Sequence, residues 1–581
     1  MAANSTNNGA ATFTGSGAFN RWLVLAVICI PIFVGSLDLT VVSAFLPELI
    51  LDLELPPQSG IDDAAWILTA YLVADTIGLT FMGRFSDLYG RRRVYTACMI
   101  LFIIGSVLVA VAHLWPTDML YGIYRRLGER PDRNYVTLQA IILGRVVQAF
   151  GAGALVPVTL ALVSDMFPAG RRARPLGLVG AVDTLGWVLG HLYGGLMIYF
   201  FAQNADRFVQ FFNSIGLNWP APDWRALFWI NVPLMIFSLV VMLVALRRVP
   251  MQRAPGRFDY IGALLITGAM IVLNVGLGAN VEIPTGASGF EDLSALPPYA
   301  VPLVSTAIVL FLLFVLVEAR VRDPLVDLKM FRKHNISAGL FISLIVGYCL
   351  FIGLVVVPIL VNVRLESFDQ LSNAALQVGI LLSALTIPMS IAALIGGFLN
   401  ERIGPGRTTA LGLTAAIIGF VLIWQTWYLE IPTSTVALEM VIVGFGFGLT
   451  FSPISSSVIN AASVHQRGVA SALVIILRAV GMTVSVSSLT AIALQRINSL
   501  VALELQGLGA EASTLINDTY ARITVQVLGE LGLLGAVLCG VALLPALLLR
   551  HEPETDEPVD SVVSEPLRQR RPDEVSASTG D

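Results

Sequence analysis

Gly83-Arg84-Phe85-Ser86-Asp87-Leu88-Tyr89-Gly90-Arg91-Arg92-Arg93 joins two apolar runs, 64–85 and 93–113. At about 1.5 Å per helical residue, each run is long enough to cross most or all of a hydrocarbon core of about 30 Å. The stretch between them therefore reverses the chain at a membrane surface. Glycines 83 and 90 permit a tight turn and close backbone approach. Asp87 is a residue type that caps helix starts and pairs with arginine. The three consecutive arginines hold the turn at one membrane face, and basic loops gather on the cytoplasmic face.

Outward from this turn, similar runs recur along almost the whole chain. They fall at 22–48, 136–163, 174–200, 225–247, 258–280 and 299–320, then at 335–362, 372–398, 407–428, 433–459, 469–495 and 520–549. Hydrophobic residues make up 56% of the 581 and charged residues 13%, with mean hydropathy +0.78. Soluble chains carry about 25% charged residues, so most of this surface must face lipid. Runs of this length satisfy their backbone groups in lipid only as helices. The reading is an all-α polytopic membrane protein with fourteen transmembrane helices. The polar start, 1–20, lacks the basic segment of a signal peptide, and the Pro/Glu/Asp/Ser-rich end, 551–581, reads as a disordered tail.

Alternate loops carry Arg91–Arg93, then Arg171, Arg172 and Arg174, then Arg247, Arg248, Arg253 and Arg257. The same side continues with Arg320, Arg322, Lys329, Arg332 and Lys333, then Arg402, Arg407 and Arg467. The positive-inside rule places this side, and both termini, in the cytoplasm of a cell-membrane protein. One opposite loop dissents, with Arg125, Arg126, Arg130 and Arg133 partly balanced by Asp118, Glu129 and Asp132. Three opposite segments exceed a simple turn: 114–135, 201–224 and 496–519. In the second, Phe208, Phe211, Phe212 and Ile215 share a helical face, the pattern of an interfacial amphipathic helix.

A degenerate copy of the opening stretch occurs at Gly396-Gly397-Phe398-Leu399-Asn400-Glu401-Arg402-Ile403-Gly404-Pro405-Gly406-Arg407. It lies eight runs later, so runs one to six and nine to fourteen read as repeated halves with two helices inserted. The units are a tail at 1–20, a six-helix bundle at 21–248, a two-helix insertion at 249–334, a second six-helix bundle at 335–550, and a tail at 551–581. The opening stretch resembles the signature loop of the major facilitator superfamily, and duplicated halves are that architecture, with the substrate site at the midplane between them. Its gating residues are Gly83, Asp87, Gly90, Arg91 and Arg92.

Further segments resemble fourteen-helix drug:proton antiporters. Leu37-Asp38-Leu39-Thr40-Val41-Val42 with Leu46-Pro47 is similar to their first-helix motif, and Leu143-Gly144-Arg145 through Gly153 to their fourth. Trp224 through Pro233 is similar to their sixth-helix start, and Asp323 through Arg332 to the loop before helix nine. The fifth-helix motif departs: Gly186-Trp187-Val188-Leu189-Gly190-His191-Leu192-Tyr193-Gly194-Gly195 has His191 where the antiporters have proline. Gly186, Gly190 and Gly194 stay on one face at four-residue spacing, a close-packing pattern. Leu155–Leu162 and Leu185–Gly194 also resemble mycobacterial exporters of drugs and triacylglycerides.

An ionisable residue at mid-membrane costs at least about 2.5–3.5 kcal/mol, which makes it a functional candidate. Asp38, Asp75, Arg145, Asp183, His191 and Arg478 lie deep in their runs and form the expected proton-coupling set, with Glu530 a weaker member. Asp38 is the expected principal protonation site, and Arg478 a partner for Asp38 or Asp183. Gln148, Asn274, Gln377 and Asn460 are further candidates for a central cavity. Gly444, Gly446, Gly448 and Pro453 mark a flexible or tightly packed helix.

The sequence contains no Walker loop, which excludes an ATPase of that kind carried by this chain. The histidines 113, 191, 334, 465 and 551 are scattered, and Cys29, Cys98, Cys349 and Cys539 are isolated in apolar runs, so no enzyme centre, metal site or cofactor is expected. No block of like charge points to nucleic acid. The expected function is proton-coupled antiport by a monomer. It would export lipophilic or amphiphilic small molecules or lipids, drugs or triacylglycerides among them. A proton symporter of a small polar solute is the alternative.

Overall fold

The computed structural model describes residues 21–54, 60–168, 171–245, 256–277, 299–364, 371–463, 466–504 and 512–550. The two terminal tails assigned in the sequence lie outside them. Among the described residues every α-helix, turn and short 3-10 segment belongs to one helical bundle, with no strand. In chain order the first helices are α1 (Arg21–Asp52), α2 (Gly60–Tyr89), α3 (Arg91–Ala110), α4 (Trp115–Arg126), α5 (Arg133–Ala152), α6 (Leu155–Met166), α7 (Ala173–Gln203), α8 (Ala205–Ser214) and α9 (Arg225–Ala245). There follow α10 (Tyr260–Gly276), α11 (Ala300–Glu318), α12 (His334–Val363), α13 (Leu371–Ile403), α14 (Pro405–Thr426), α15 (Thr433–Ala461), α16 (Arg467–Glu504) and α17 (Ala512–Leu547).

Eleven described helices are long and apolar enough to cross a membrane, or thirteen when the two bent pairs within α2 and α7 count as single spans. The remaining run of the sequence reading, 258–280, corresponds to the shorter apolar helix Tyr260–Gly276. The run 136–163 is not one smooth helix. It divides into α5 and α6 at Gly153, where α2 comes so close that a Cβ would strike the Asp75 carbonyl oxygen. The hydropathy windows also stop short at the end of the chain: α16 has 38 residues and α17 36. At 1.5 Å per residue α16 is about 57 Å long, roughly twice a hydrocarbon core. Ion pairs Arg496–Glu530 (2.8 Å) and Arg522–Glu504 bind these two overhanging helices together. Glu530 is thus paired at the surface of that extension.

Small residues set the closest approaches. Gly186 and Gly190 of α7 lie on α1, where added Cβ atoms would meet the Phe33 carbonyl oxygen at 2.6 Å and the Leu37 carbonyl oxygen, respectively. Gly194 is buried further along α7. In α15, Gly444 and Gly448 face the carbonyl oxygens of Leu385 and Met389 on α13, and Gly446 faces α14. Pro453 lies inside α15 without ending it. The largest buried apolar cluster joins mainly α12–α17, two others join mainly α1–α9, and Leu79, Ala472 and Ile476 link α2 to α16.

The amphipathic segment expected after α7 forms α8. Phe208 packs on Phe200 and Phe201 while Phe211 is exposed. The segment 114–135, read as a long loop, contains a second such helix, α4.

Candidate functional site

The opening turn and its copy occupy matching places. Gly90 precedes α3 with φ +98°, and Gly404 precedes α14 with φ +86°, both in the left-handed region that favours glycine. Seven residues earlier in each copy, a glycine abuts the start of a distant helix. A Cβ on Gly83 would strike the Gly468 carbonyl oxygen of α16, and one on Gly397 would come 2.8 Å from the Ala173 carbonyl oxygen of α7.

Asp87 is buried. Its Oδ1 accepts from Arg91 Nη2 at 2.9 Å, and its Oδ2 accepts from the Gly468 backbone N–H at 3.1 Å. A carboxylate in the first turn of a helix is favoured by the unpaired N–H groups and the helix dipole. Asp87 thus does serve a helix start, but that of α16, not of its neighbour α3. Arg91 also pairs with Asp165 and donates to the Ala161 carbonyl oxygen at 2.7 Å. Arg92 is only half-buried beside it. Around this turn Ser471 donates to the Pro157 carbonyl oxygen (2.9 Å), Ser452 to that of Ala173 (2.6 Å), and Arg172 to Asn460 (3.0 Å). Arg174 and Glu401 pair at 2.6 Å. These bonds fasten α2, α6 and α7 to α13, α15 and α16 at the Gly83–Arg93 end.

The deep charges form two separate groups. In the first, Arg145 and Asp38 are an ion pair with side chains 0% and 1% exposed. Asp38 Oδ1 also accepts from Asn231 Nδ2 at 2.8 Å, and its backbone oxygen accepts from Arg145 Nη2 at 3.2 Å. Arg145 Nη1 donates to Gln148 Oε1 at 2.7 Å, and Gln148 donates on to Ser106 at 2.9 Å. The guanidinium carbon sits 4.0 Å from the centre of the Tyr71 ring and 5.7 Å from that of Phe228. Asn231 lies within the Trp224–Pro233 motif but was not among the charge partners read from sequence.

The second group lines a cavity of about 210 Å³ enclosed by α1, α2, α5–α7, α10, α12, α13, α15 and α16. Its acidic and basic lining residues are Asp75, Asp183 and Arg478, set beside Tyr71 and among apolar side chains such as Ile32, Trp187, Met389 and Phe451. Ser36 of α1 donates to Asp183 Oδ1 at 2.5 Å. Arg478 stands near enough for its charge to act on Asp183, and its guanidinium carbon lies 4.0 Å from the centre of the Phe451 ring. Its Nε is buried without a hydrogen-bond partner among the described residues. Of the two partners considered for Arg478, the structure brings Asp183 near and gives Asp38 to Arg145.

Of the four amides, Asn274 alone lines this cavity. It donates to Thr76 of α2 at 3.5 Å and accepts from Thr483 of α16 at 3.2 Å. Gln148 belongs to the sealed Asp38 network, Asn460 binds Arg172, and Gln377 is exposed. His191 lies in α7, and its side chain is outside the described residues. Among the described residues no group of three or more metal-ligating side chains occurs.

The model of the family described as Major Facilitator Superfamily matches residues 28–486. A protein named triacylglyceride transporter from Mycolicibacterium hassiacum is 29% identical over 94% of this chain and 95% of its own length. Its namesake from Mycolicibacterium smegmatis is 30% identical over 92% of this chain and 88% of its own. That from Mycobacterium tuberculosis is 29% identical over 93% and 96%. Among solved structures, the human organic anion transporter MFSD10 superposes with TM-score 0.51 at 14% identity, over 89% of this chain and 99% of its own. The proton:xylose symporter XylE superposes with TM-score 0.52 at 15% identity, over 89% and 94%. These last two likenesses concern the fold.

Proposed function

The chain belongs to the major facilitator superfamily, and from that premise we propose that it exports lipophilic or amphiphilic cargo by alternating access with proton antiport. Lipids of the triacylglyceride kind are the leading cargo and drug-like molecules the second. The names of the mycobacterial relatives support the lipid class, and the apolar cavity walls favour it over a polar solute. We read the chain as two six-helix halves, 21–248 and 335–550, with 249–334 inserted, supported by the matching glycine turns at Gly90 and Gly404. The Gly83–Arg93 end and both termini are cytoplasmic in this reading.

The observation that carries the coupling is the charge count of the cavity: two carboxylates, Asp75 and Asp183, against one guanidinium, Arg478. A buried group with one surplus negative charge is relieved by one proton. Asp183 and Arg478 sit on α7 and α16, helices of different halves, so rocking of the halves changes their separation and with it the affinity for that proton. We therefore assign protonation to the cavity acids, Asp183 first, rather than to the sealed Asp38. The cavity is below the range of about 300–1,000 Å³ common for ligand pockets, so a large lipid requires it to widen during the cycle.

Reconstitution in liposomes with an imposed pH gradient tests this reading. A fluorescent triacylglyceride and cationic dyes are offered in parallel. Lipid movement that collapses when the gradient is dissipated is the expected result. Dye movement alone would reassign the cargo, and gradient-independent movement of either would remove the antiport mechanism.

A further inference from the structure

The segment between α3 and α5 breaks the charge pattern of the other loops. Arg125, Arg126 and Arg130 lie there, at the end of the bundle opposite Gly83–Arg93. All three are exposed and have no ion pair among the described residues. The local acids are otherwise occupied: Asp118 pairs with Arg133 at 2.7 Å, and Asp132 caps α5 by accepting from the Asn134 N–H at 3.1 Å. Glu129 remains, so the loop keeps a net positive rim.

The helix that carries Arg125 and Arg126, and after which Arg130 follows in the turn, is α4, with 12 residues, too short to cross a bilayer. Trp115, Met119, Ile123 and Leu127 follow one another at four-residue steps and are 55%, 58%, 46% and 72% exposed. They form one continuous apolar stripe, while Asp118 and Arg125 point elsewhere around the helix. Tyr124 donates to Gln139 at 2.8 Å and Thr117 to Thr137 at 3.1 Å, which hold α4 against α5. Between the two helices runs a groove of about 430 Å³, walled by Leu120, Ile123 and Leu127 on one side and Ile142 and Leu143 on the other.

The depth of this groove follows from α3. Gly144, next to Leu143, packs on Val109, with 2.9 Å between a Cβ built there and Val109 Cγ2. Val109 is the last residue but one of α3, a span of 20 residues, which is about 30 Å of rise. The groove therefore opens at the hydrocarbon boundary, where acyl chains meet headgroups. Its walls suit a chain, and its rim suits an anion.

We propose that the α4–α5 groove and its arginine rim form a binding site for one anionic phospholipid, with an acyl chain in the groove and the phosphate held by Arg125, Arg126 and Arg130. A second copy of the chain would set the arginine rim against like charge. A neutral triacylglyceride offers the arginines ester carbonyls but no charge, so the rim prefers a phosphate, and this site is distinct from the cargo cavity.

The test uses the full chain purified in detergent and native mass spectrometry with phosphatidylglycerol or phosphatidylcholine of matched chains. Wild type retains one phosphatidylglycerol in preference to phosphatidylcholine. The triple variant Arg125→Gln, Arg126→Gln, Arg130→Gln loses about 100-fold in affinity for it, at roughly tenfold or less per charge. The corresponding triple Arg→Lys variant recovers most of this loss, which separates charge from folding. Leu127→Asn weakens retention through the groove alone and serves if the glutamine variant does not fold. Equal retention of both lipids by wild type, or unchanged retention in the glutamine variant or in Leu127→Asn, overturns the site. A thermal-shift series adds the source of the anion: phosphatidylglycerol raises the melting temperature, and inorganic phosphate does not. The same rise with phosphate alone overturns the lipid assignment.

Discussion

The Asp38–Arg145 group and the Asp75–Asp183–Arg478 group lie at similar membrane depth, and the chemistry of their residues is the same. They differ in what surrounds them. The partners of Asp38 come from α5 and α9, both on the N-terminal side of α10 and α11, and both its carboxylate oxygens are hydrogen-bonded. The guanidinium lies over the Tyr71 ring with Phe228 further off, and the side chains of the pair are almost fully buried. In the alternating-access reading proposed above, this group moves as one body. The second group faces a cavity, sets two carboxyls against one guanidinium, and draws its members from α2, α7 and α16. Depth in the membrane therefore does not decide whether a charge is mobile in function. What decides is whether its partners travel with it.

The largest effect that would break this comparison is expected in the sealed group. Arg145→Ala leaves Asp38 buried without its cation, a loss of about 3–5 kcal/mol. Folded protein should fail to accumulate in the membrane, measured by fluorescence-detected size exclusion. Asp38→Asn, which keeps the shape and removes the charge, should also destabilise, because Arg145 then loses its counter-ion. A stable Arg145→Ala protein with normal yield would mean that the sealed pair is not structural.

Next in size is Asp183→Asn. It should fold with a melting temperature close to wild type, since Ser36 can still donate to the amide oxygen. Gradient-driven transport should fall by at least about tenfold, equivalent to about 1.4 kcal/mol in the driven step, while gradient-independent exchange of cargo persists. Normal pumping by Asp183→Asn, together with a stable but uncoupled Asp38→Asn, would reverse the assignment between the two groups and restore Asp38 as the protonation site.

The two groups also mark where reading the sequence stops. The turn at Gly83–Arg93 was legible because its chemistry is local: a glycine at positive φ, an acid and a basic cluster between two apolar runs. Its copy at Gly396–Arg407 was legible for the same reason. The long overhang of α16 and α17 was not, because hydropathy falls where lipid contact ends, whereas helical hydrogen bonds continue. Helix α4 was missed because four apolar residues spread over twelve leave a weak signal in a span-length window. Asp38, Asp75 and Asp183 were all recognised as deep. Partner choice depends on helix rotation, which apolar runs do not encode. Asn231 illustrates the point: its motif was quoted, yet only the packing of α9 on α1 turns its amide to Asp38.

The smallest effect concerns the helix that touches the open group and has no counterpart at the sealed one. Asn274 of α10 reaches the cavity and bonds to Thr76 of α2 and Thr483 of α16. An apolar residue would suit the rest of α10, whose buried residues are glycine, alanine, isoleucine and methionine. The amide is therefore best understood as a clip that lets an inserted helix follow the seam between α2 and α16. Asn274→Ala removes two hydrogen bonds, each contributing about 0.5–1.5 kcal/mol. Because the Thr76 hydroxyl already donates to the Leu72 carbonyl oxygen at 2.8 Å and only the Thr483 hydroxyl must turn to another acceptor, the net change should be nearer to about 1 kcal/mol, a few-fold in transport rate. If the clip favours this arrangement, in which bonds fasten the Gly83–Arg93 end, over one open at that end, the variant should shift accessibility of a cysteine at Ala479 toward the Gly83–Arg93 side, measured with an impermeant thiol reagent in a variant lacking the four native cysteines. Unchanged labelling and unchanged rate would reduce α10 to a spacer and leave the charge imbalance of Asp75, Asp183 and Arg478 to carry the coupling without help from the insertion.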